Sequence, residues 1–467
     1  MESPARRTRL LTAIVALTTA GTAQTPLEQV ATEFELLGCS VTSFCGDSIQ
    51  QSFHWGTRQL EAGWPVTSST QYRIASVSKA VVATACARLV EFGELAYAEP
   101  VDAWLGWSLV HPSHPGVPVT VGDLLSHRSG LQDGSGYGAF LGDTYAAGPG
   151  APPIADLVLE GGSAFTSDMW HAAEPGSHFQ YANVNYGVLA TVLEAATGLR
   201  FDALMDSLVL HPLGIAGSFN VGTLPDWDDV ATLYRNQGGW VPQADDFINE
   251  PPVGWDFSAY VPGTNGLLFA PQGGLRISTE ELARIAAVWE DGTWNGVALL
   301  EMPGIAALHE AVWTADGSNG DTYFGLFNSW SWGLHRANLH AGDAFFGDQT
   351  LFIGHPGEAY GLISDLYLEP ATGWGFAFAT NGAWSGYSFG ETSWYAVEEA
   401  IHLALTDDRN ACATATGVGG PEAAASADDA RTRWFDLSGR HVTTGHAPNR
   451  PGIYVSDRGA RTFRIGN

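Results

Sequence analysis

Ser76 and Lys79 stand three residues apart in the stretch YRIASVSKAVVATACARLVEFGEL. On a helix that spacing places both side chains on one face, a turn apart, with the amine in reach of the hydroxyl. Of the 21 lysine and arginine residues in the chain, Lys79 is the only lysine. A guanidinium keeps its proton in proteins, whereas a buried ammonium can lose it and act as a base. Serine is a weak nucleophile at its own pKa and needs such a neighbour. Ser76 also falls at the expected start of the helix, where free N–H groups and the helix dipole favour developing negative charge. The pattern S-x-x-K alone is common by chance; its coincidence with the lone lysine points to nucleophilic catalysis.

Several elements must position this pair. The run VVATACARLV is small and apolar nearly all round, which predicts a buried helix over 76–92 closed by Gly93. Upstream, PLEQVATEFELLG predicts a helix over 25–37, and CSVTSFC, Gly46-Asp47 and SIQQSFHWG predict a hairpin. Residues 100–265 are rich in Gly, Pro, Trp and Asp, with helices expected near 153–159 and 186–197, and have the texture of an insertion that walls a cleft. From 278, STEELARIAAVWEDG carries its own cap and stop signals. LFIGHPG, GLISDLYLEP and GWGFAFATNG then predict strands, and 391–406 a closing helix. Strands from both ends of the body imply one sheet that unites them.

With Ser76 and Lys79 at the start of a buried helix, two further motifs follow in order: Tyr181-Ala182-Asn183 within EPGSHFQYANVNYGVLATVLEAATG, and His355-Pro356-Gly357 within FIGHPGEAYG. This set resembles the serine hydrolase family of class C β-lactamases, penicillin-binding DD-peptidases and family VIII esterases. LLSHRSGL at 124–131, HPLGI at 211–215 and GGLRISTEELARI at 273–285 resemble further landmarks of that family. The similarity spans roughly residues 25–405. It implies an α/β (α+β) chain of the β-lactamase/transpeptidase-like fold: an antiparallel sheet flanked by helices, with an inserted, mostly helical region.

The resemblance also implies roles. Ser76 would be acylated, and Lys79 and Tyr181 would share proton transfer, either through a neutral lysine or through a phenolate. Asn183 would hydrogen-bond substrate and Lys79. His355 would polarise the site or relay a proton, and the backbone N–H groups of Ser76 and Glu358, beside Gly357, would form the oxyanion hole. Where relatives often place a small or hydroxyl residue that seats a substrate carboxylate, this chain has Glu358, which should repel one. That departure, with no lysine at 355, ranks an esterase or amide hydrolase on neutral or cationic substrates above a β-lactamase or D-Ala-D-Ala carboxypeptidase. A binding protein built on a retired hydrolase is the other alternative. The chemistry requires no cofactor and no metal.

Bulk properties set limits on partners. The formal net charge is −29, although the last 37 residues carry seven Arg against Asp436 and Asp457, so the acidity lies in the body. Such a body excludes nucleic acid and anionic membranes as partners. Residues 1–23 have the basic start, apolar run and small-residue end of a secretory signal peptide, so export to the periplasm, cell surface or medium is expected. No other run is apolar for the roughly 18 residues that a membrane span needs. Four cysteines are too few for a disulfide scaffold: Cys39 and Cys45 are too far apart on one strand to bridge, and Cys412 either pairs with one of them or all stay free and buried. HPSH at 111–114 and ADGSNGD near 316 read as loops rather than metal sites, His127 as a structural residue, and the 17 tryptophans as core. The hydrolase domain is expected over 24–408, a linker over 409–430, and a small β module over 431–467 that resembles the C-terminal sorting domains of type IX secretion.

Overall fold

The computed structural model describes residues 24–416 and four short strands beyond them, at 433–436, 441–444, 452–456 and 461–464. The signal-peptide reading of 1–23 and most of the linker lie outside the described residues. The first element, α1 (Pro26–Glu33), is capped by Thr25 and Glu28, whose side chains each take the other's backbone N–H. It ends before 37 because Glu35 turns left-handed, at φ 49°, and Leu36 N–H closes back onto Ala31 O at 2.9 Å. The predicted hairpin follows as β1 (Gly38–Cys45) and β2 (Ser48–Gln59), then β3 (Trp64–Pro65).

A short turn, Ala75–Val77, leads into α2 (Ser78–Glu91). Eleven of the fourteen α2 residues are buried, Lys79 among them, as the small apolar sequence requires. Gly93, at φ 73°, ends it where expected. The inserted region supplies α3 (Val184–Thr197), also buried almost all round, and an unanticipated helix at Tyr137–Ala147 among shorter ones, while the helix expected near 153–159 shrinks to a single turn at Ala155–Val158. Ser278 and Glu281 form a capping box for α4 (Thr279–Asp291), which stops at Gly292 in the left-handed conformation.

Six further strands complete the main sheet: β4 (Trp313–Thr314), β5 (Ser329–Trp330), β6 (His335–Ala337), β7 (Phe352–Ala359), β8 (Leu362–Glu369) and β9 (Trp374–Thr380). Two helices close the body, α5 (Ala396–Ala404) and α6 (Thr406–Ala415). The strand order is β4-β5-β6-β7-β8-β9-β1-β2-β3, antiparallel throughout. β9 pairs with β1 with Cys39 opposite Thr380, which joins the two ends of the body in one sheet as the sequence implies. α4 covers one face, where Thr42 and Thr279 hydroxyls meet at 2.9 Å, and α1 and α5 cover the other. β8 and β9 are buried on every residue, so neither shows an alternation of buried and exposed positions, and β8 buries Ser364, Asp365 and Glu369 along with its apolar residues. Trp289, Trp330, Trp374 and Trp394 are among the largest fully buried side chains and fill the core.

Two expectations change. Residues 391–395 are not helical: the N–H groups of Glu391 and Thr392 instead bond the Glu399 carboxylate, and Tyr395 N–H bonds Glu398, so the acidic first turn of α5 holds them in a loop. Residues 409–415, read as linker from their small side chains, continue α6. Cys412 on α6 is disulfide-bonded to Cys45 at the end of β1, with Cα atoms 5.7 Å apart. Arg409 on the same helix bonds Glu369 and Asp348 at 2.7 and 2.6 Å. The four strands after 432 form an antiparallel sheet among themselves.

Candidate active site

Ser76 lies in the turn before α2, preceded by Ala75 at φ 46°. A non-glycine residue held in this region stores backbone strain, a feature that gathers at active sites. The turn is pinned from β7 and β8. Ser364 Oγ donates to Ile74 O at 2.9 Å. Gly357 approaches so closely that a Cβ there would sit 2.7 Å from Ile74 O and 3.2 Å from Ser76 N. The glycine of the third motif is therefore needed for the strand backbone to lie along the nucleophile turn.

Lys79 is fully buried. Its Nζ lies 3.0 Å from Ser76 Oγ, 2.8 Å from Asn183 Oδ1 and 2.7 Å from Gln272 O. A neutral amine has two N–H donors and one lone pair. Asn183 Oδ1 and Gln272 O can only accept, so they take the two donors, and the lone pair is left for the hydroxyl proton of Ser76. Burial pushes the Lys79 pKa down to about 7, opposed by the charge of Asp133. The sheet and α3 thus create the base that the sequence suggested.

Tyr181 stands on the other side of the nucleophile. The Lys79 nitrogen lies 5.0 Å from its ring centre, and Ser76 lowers the pKa of its phenol against the larger effect of burial. Burial drives that phenol well above its ordinary range, so it is neutral at working pH. His127 stacks on the Tyr181 ring at 4.3 Å, and its Nδ1 accepts from Ala182 N–H at 3.2 Å. It holds the second motif in place, in keeping with the structural role expected for it. His355 is fully buried 6.0 Å from Tyr181, ring to ring. Its Nδ1 donates to Pro356 O at 2.6 Å, and burial beside Lys79 holds the ring neutral.

Sequence reasoning missed Asp133 and Gln272. One Asp133 oxygen accepts from Asn183 N–H and Nδ2 at 3.0 and 2.8 Å, and the other from Val184 N–H at 2.9 Å. This carboxylate caps α3, which has no side-chain cap of its own, and turns Asn183 so that Oδ1 faces Lys79. In LQDGS, Asp133 looks like any turn aspartate, and Gln272 acts through its carbonyl, which leaves no mark on residue type. Glu358 departs from its expected effect. Its carboxylate is exposed and pairs with Arg235 at 3.2 Å, a partner that tempers the repulsion of a substrate carboxylate argued from sequence. His111 and His114 spend their ring nitrogens on backbone, including His171 O and Ala172 O, and Asp316 Oδ1 is taken by Ser318 and Asn319 N–H. Among the described residues no group of three or more His, Cys, Asp or Glu is arranged to hold a metal ion.

The family model described as Beta-lactamase matches residues 44–399, which include all three motifs. The chain belongs to the Beta-lactamase family. As a member it is a serine hydrolase, in line with relatives named as esterase and penicillin-binding protein. Esterase EstB of Burkholderia gladioli is 35% identical over 177 residues, 37% of this chain and 44% of EstB, so the match spans less than half of that relative. Penicillin-binding protein 4 of Amycolatopsis lactamdurans is 26% identical over 369 residues, 77% of this chain and 84% of the relative. The octameric penicillin-binding protein homologue of Pyrococcus abyssi superposes with a TM-score of 0.59 at 21% identity, over 92% of this chain and 85% of that one, a likeness of fold.

Within this Beta-lactamase family site, Asp133→Asn is expected to act in two ways. It removes the charge that raises the Lys79 pKa, so the acid limb of the pH–rate profile should move to lower pH. It also weakens the grip on Asn183, at a cost of about tenfold in kcat. Rates of ester hydrolysis measured from pH 5 to 9 check both, and a limb that moves to higher pH would contradict the assignment.

Proposed function

We propose that the protein is an exported esterase or amide hydrolase that works through an acyl-enzyme on Ser76. The observation that carries this reading is the buried, single lysine with its lone pair free for the Ser76 proton. Neutral Lys79 takes that proton as Oγ bonds to the acyl carbon, and the N–H groups of Ser76 and Glu358 receive the oxyanion; one such donor is worth about 10²–10³ in rate. As the acyl–oxygen or acyl–nitrogen bond breaks, the Tyr181 phenol gives its proton to the leaving group and is refilled from protonated Lys79. Neutral His355 assists this transfer. Water then adds to the acyl-enzyme, gives a proton to Lys79, and Ser76 leaves with it.

The raised pKa of the Tyr181 phenol favours Lys79 over a phenolate as the base. The neutral His355 at the third motif, where a charged lysine would help seat a carboxylate, favours ester or amide substrates over penicillins. The Cys45–Cys412 disulfide supports export to an oxidising compartment, and secretion machinery that reads the C-terminal strands is the partner this reading includes.

Hydrolysis of p-nitrophenyl butyrate and of benzylpenicillin by the full chain tests the assignment. Turnover of the ester, lost in Ser76→Ala, with kcat/KM on penicillin at least about 100-fold lower, is the expected result. Penicillin turnover as fast as the ester would instead make the protein a β-lactamase. Inertness to both, with no covalent mass gained from a fluorophosphonate, would make it a binding protein.

A further inference from the structure

A cavity of about 300 Å³ adjoins the catalytic turn. Its walls are largely aromatic, with Phe219, Phe247 and Phe269 among them, and Arg73 and Tyr145 also line it. Arg73 is three residues before Ser76, donates through Nε to Gly273 O at 3.4 Å, and stacks on Tyr360 at 4.7 Å. Tyr360 follows the third motif on the turn after β7. The Tyr145 hydroxyl accepts from Gln272 Nε2 at 3.2 Å, and the carbonyl of the same glutamine accepts from Lys79. Cavity wall and catalytic lysine are thus one residue apart.

The charges around this cavity do not cancel. Arg276, also on its wall, is engaged with Asp245 through Nε and Nη2 at 3.0 and 2.7 Å and with Gly274 O through Nη1. Asp245 is the carboxylate whose charge Arg73 feels, and it is already committed to Arg276. Among the described residues no carboxylate lies within ion-pair distance of Arg73. Two guanidinium groups share one carboxylate, in a protein with net charge −29. The desolvation of Arg73 is outweighed by Asp245, Tyr145 and Tyr360, which hold its charge, and with no carboxylate in ion-pair distance the guanidinium is open to a charge-assisted bond from an anionic ligand.

We propose that this cavity receives one arm of the substrate, apolar and of aromatic size, ending in a carboxylate that pairs with Arg73. The proposal rests on the acyl-enzyme reading and narrows it: the preferred esters or amides carry an anionic group on an apolar arm. It reverses the preference for neutral or cationic substrates that Glu358 suggested in the sequence, because Arg235 engages that glutamate at the surface while the interior charge is positive.

Calorimetric titration of the full-length Ser76→Ala protein with 4-phenylbutyrate and with its neutral amide tests this without turnover. The acid should bind about tenfold or more tightly than the amide. That ratio should fall to about one in Ser76→Ala/Arg73→Gln and return in large part in Ser76→Ala/Arg73→Lys. Equal binding of acid and amide, or an acid preference that persists with Arg73→Gln, would overturn the proposal. Fluorophosphonate labelling of the wild type reports separately on the parent reading: no adduct on Ser76 alongside an Arg73-dependent acid preference would refute the acyl-enzyme and leave the anion pocket standing.

Discussion

Lys79→Arg is expected to lower kcat on p-nitrophenyl butyrate by about 10³ or more, within the range that a positioned general base supplies. Arginine preserves the positive charge and the hydrogen-bond donors, so an electrostatic role for Lys79 would leave much of the rate intact. It cannot supply a lone pair to the Ser76 proton. In the wild type, the rate should rise with pH through about 7 as Lys79 loses its proton. The same residue has a consequence for stability. Its folded-state pKa is depressed from the ordinary lysine value, so the unfolded chain holds a proton that the folded one lacks between about 7 and 10.5. Over that window the contribution of Lys79 to stability therefore improves as pH rises, and below about 7 its full penalty remains.

Cys412→Ala should cost about 2–5 kcal/mol of stability. The bond links residues 367 apart in sequence, so its loss frees nearly the whole body of the chain in the unfolded state. It ties α6 to the end of β1, beside the Arg409 contacts with Glu369 and Asp348, and so fastens the last helix to the sheet. Urea unfolding of wild type and variant checks this, and wild type treated with dithiothreitol should match the variant. The two free thiols, Cys39 and Cys86, are fully buried, and burial raises the pKa of both, Cys39 to about 12, so neither is a ready exchange partner. Equal midpoints for oxidised and reduced protein would refute a stabilising role.

Elements with their own punctuation were legible in the sequence. Ser278 with Glu281, Gly93 and Gly46-Asp47 placed helix and hairpin ends because their reasons are local. The three motifs were legible for a different reason: each reports a residue type that the chemistry demands. Elements settled by distant partners were not. Cys412 left a pairing with Cys39 or Cys45 open, but nothing near 409–415 announces that Glu369 waits for that segment, so a small, Ala- and Gly-rich composition suggested a linker where a helix forms. Asp133 was hidden because its role is to orient Asn183, fifty residues away. The partner of Glu358 was hidden because Arg235 lies on another strand 123 residues distant. Composition showed the protein to be strongly acidic, and only the structure places Arg73, with no carboxylate among the described residues in ion-pair distance, in the wall of an aromatic cavity.

The measurement that tests the central claim most directly is the rate of fluorophosphonate labelling as a function of pH, with the adduct located by peptide mass spectrometry. The account predicts a single adduct on Ser76, a rate that climbs through about pH 7, and no labelling on that timescale in Lys79→Arg. An adduct on another residue, or a Ser76 rate that ignores both pH and the Lys79 substitution, would contradict it.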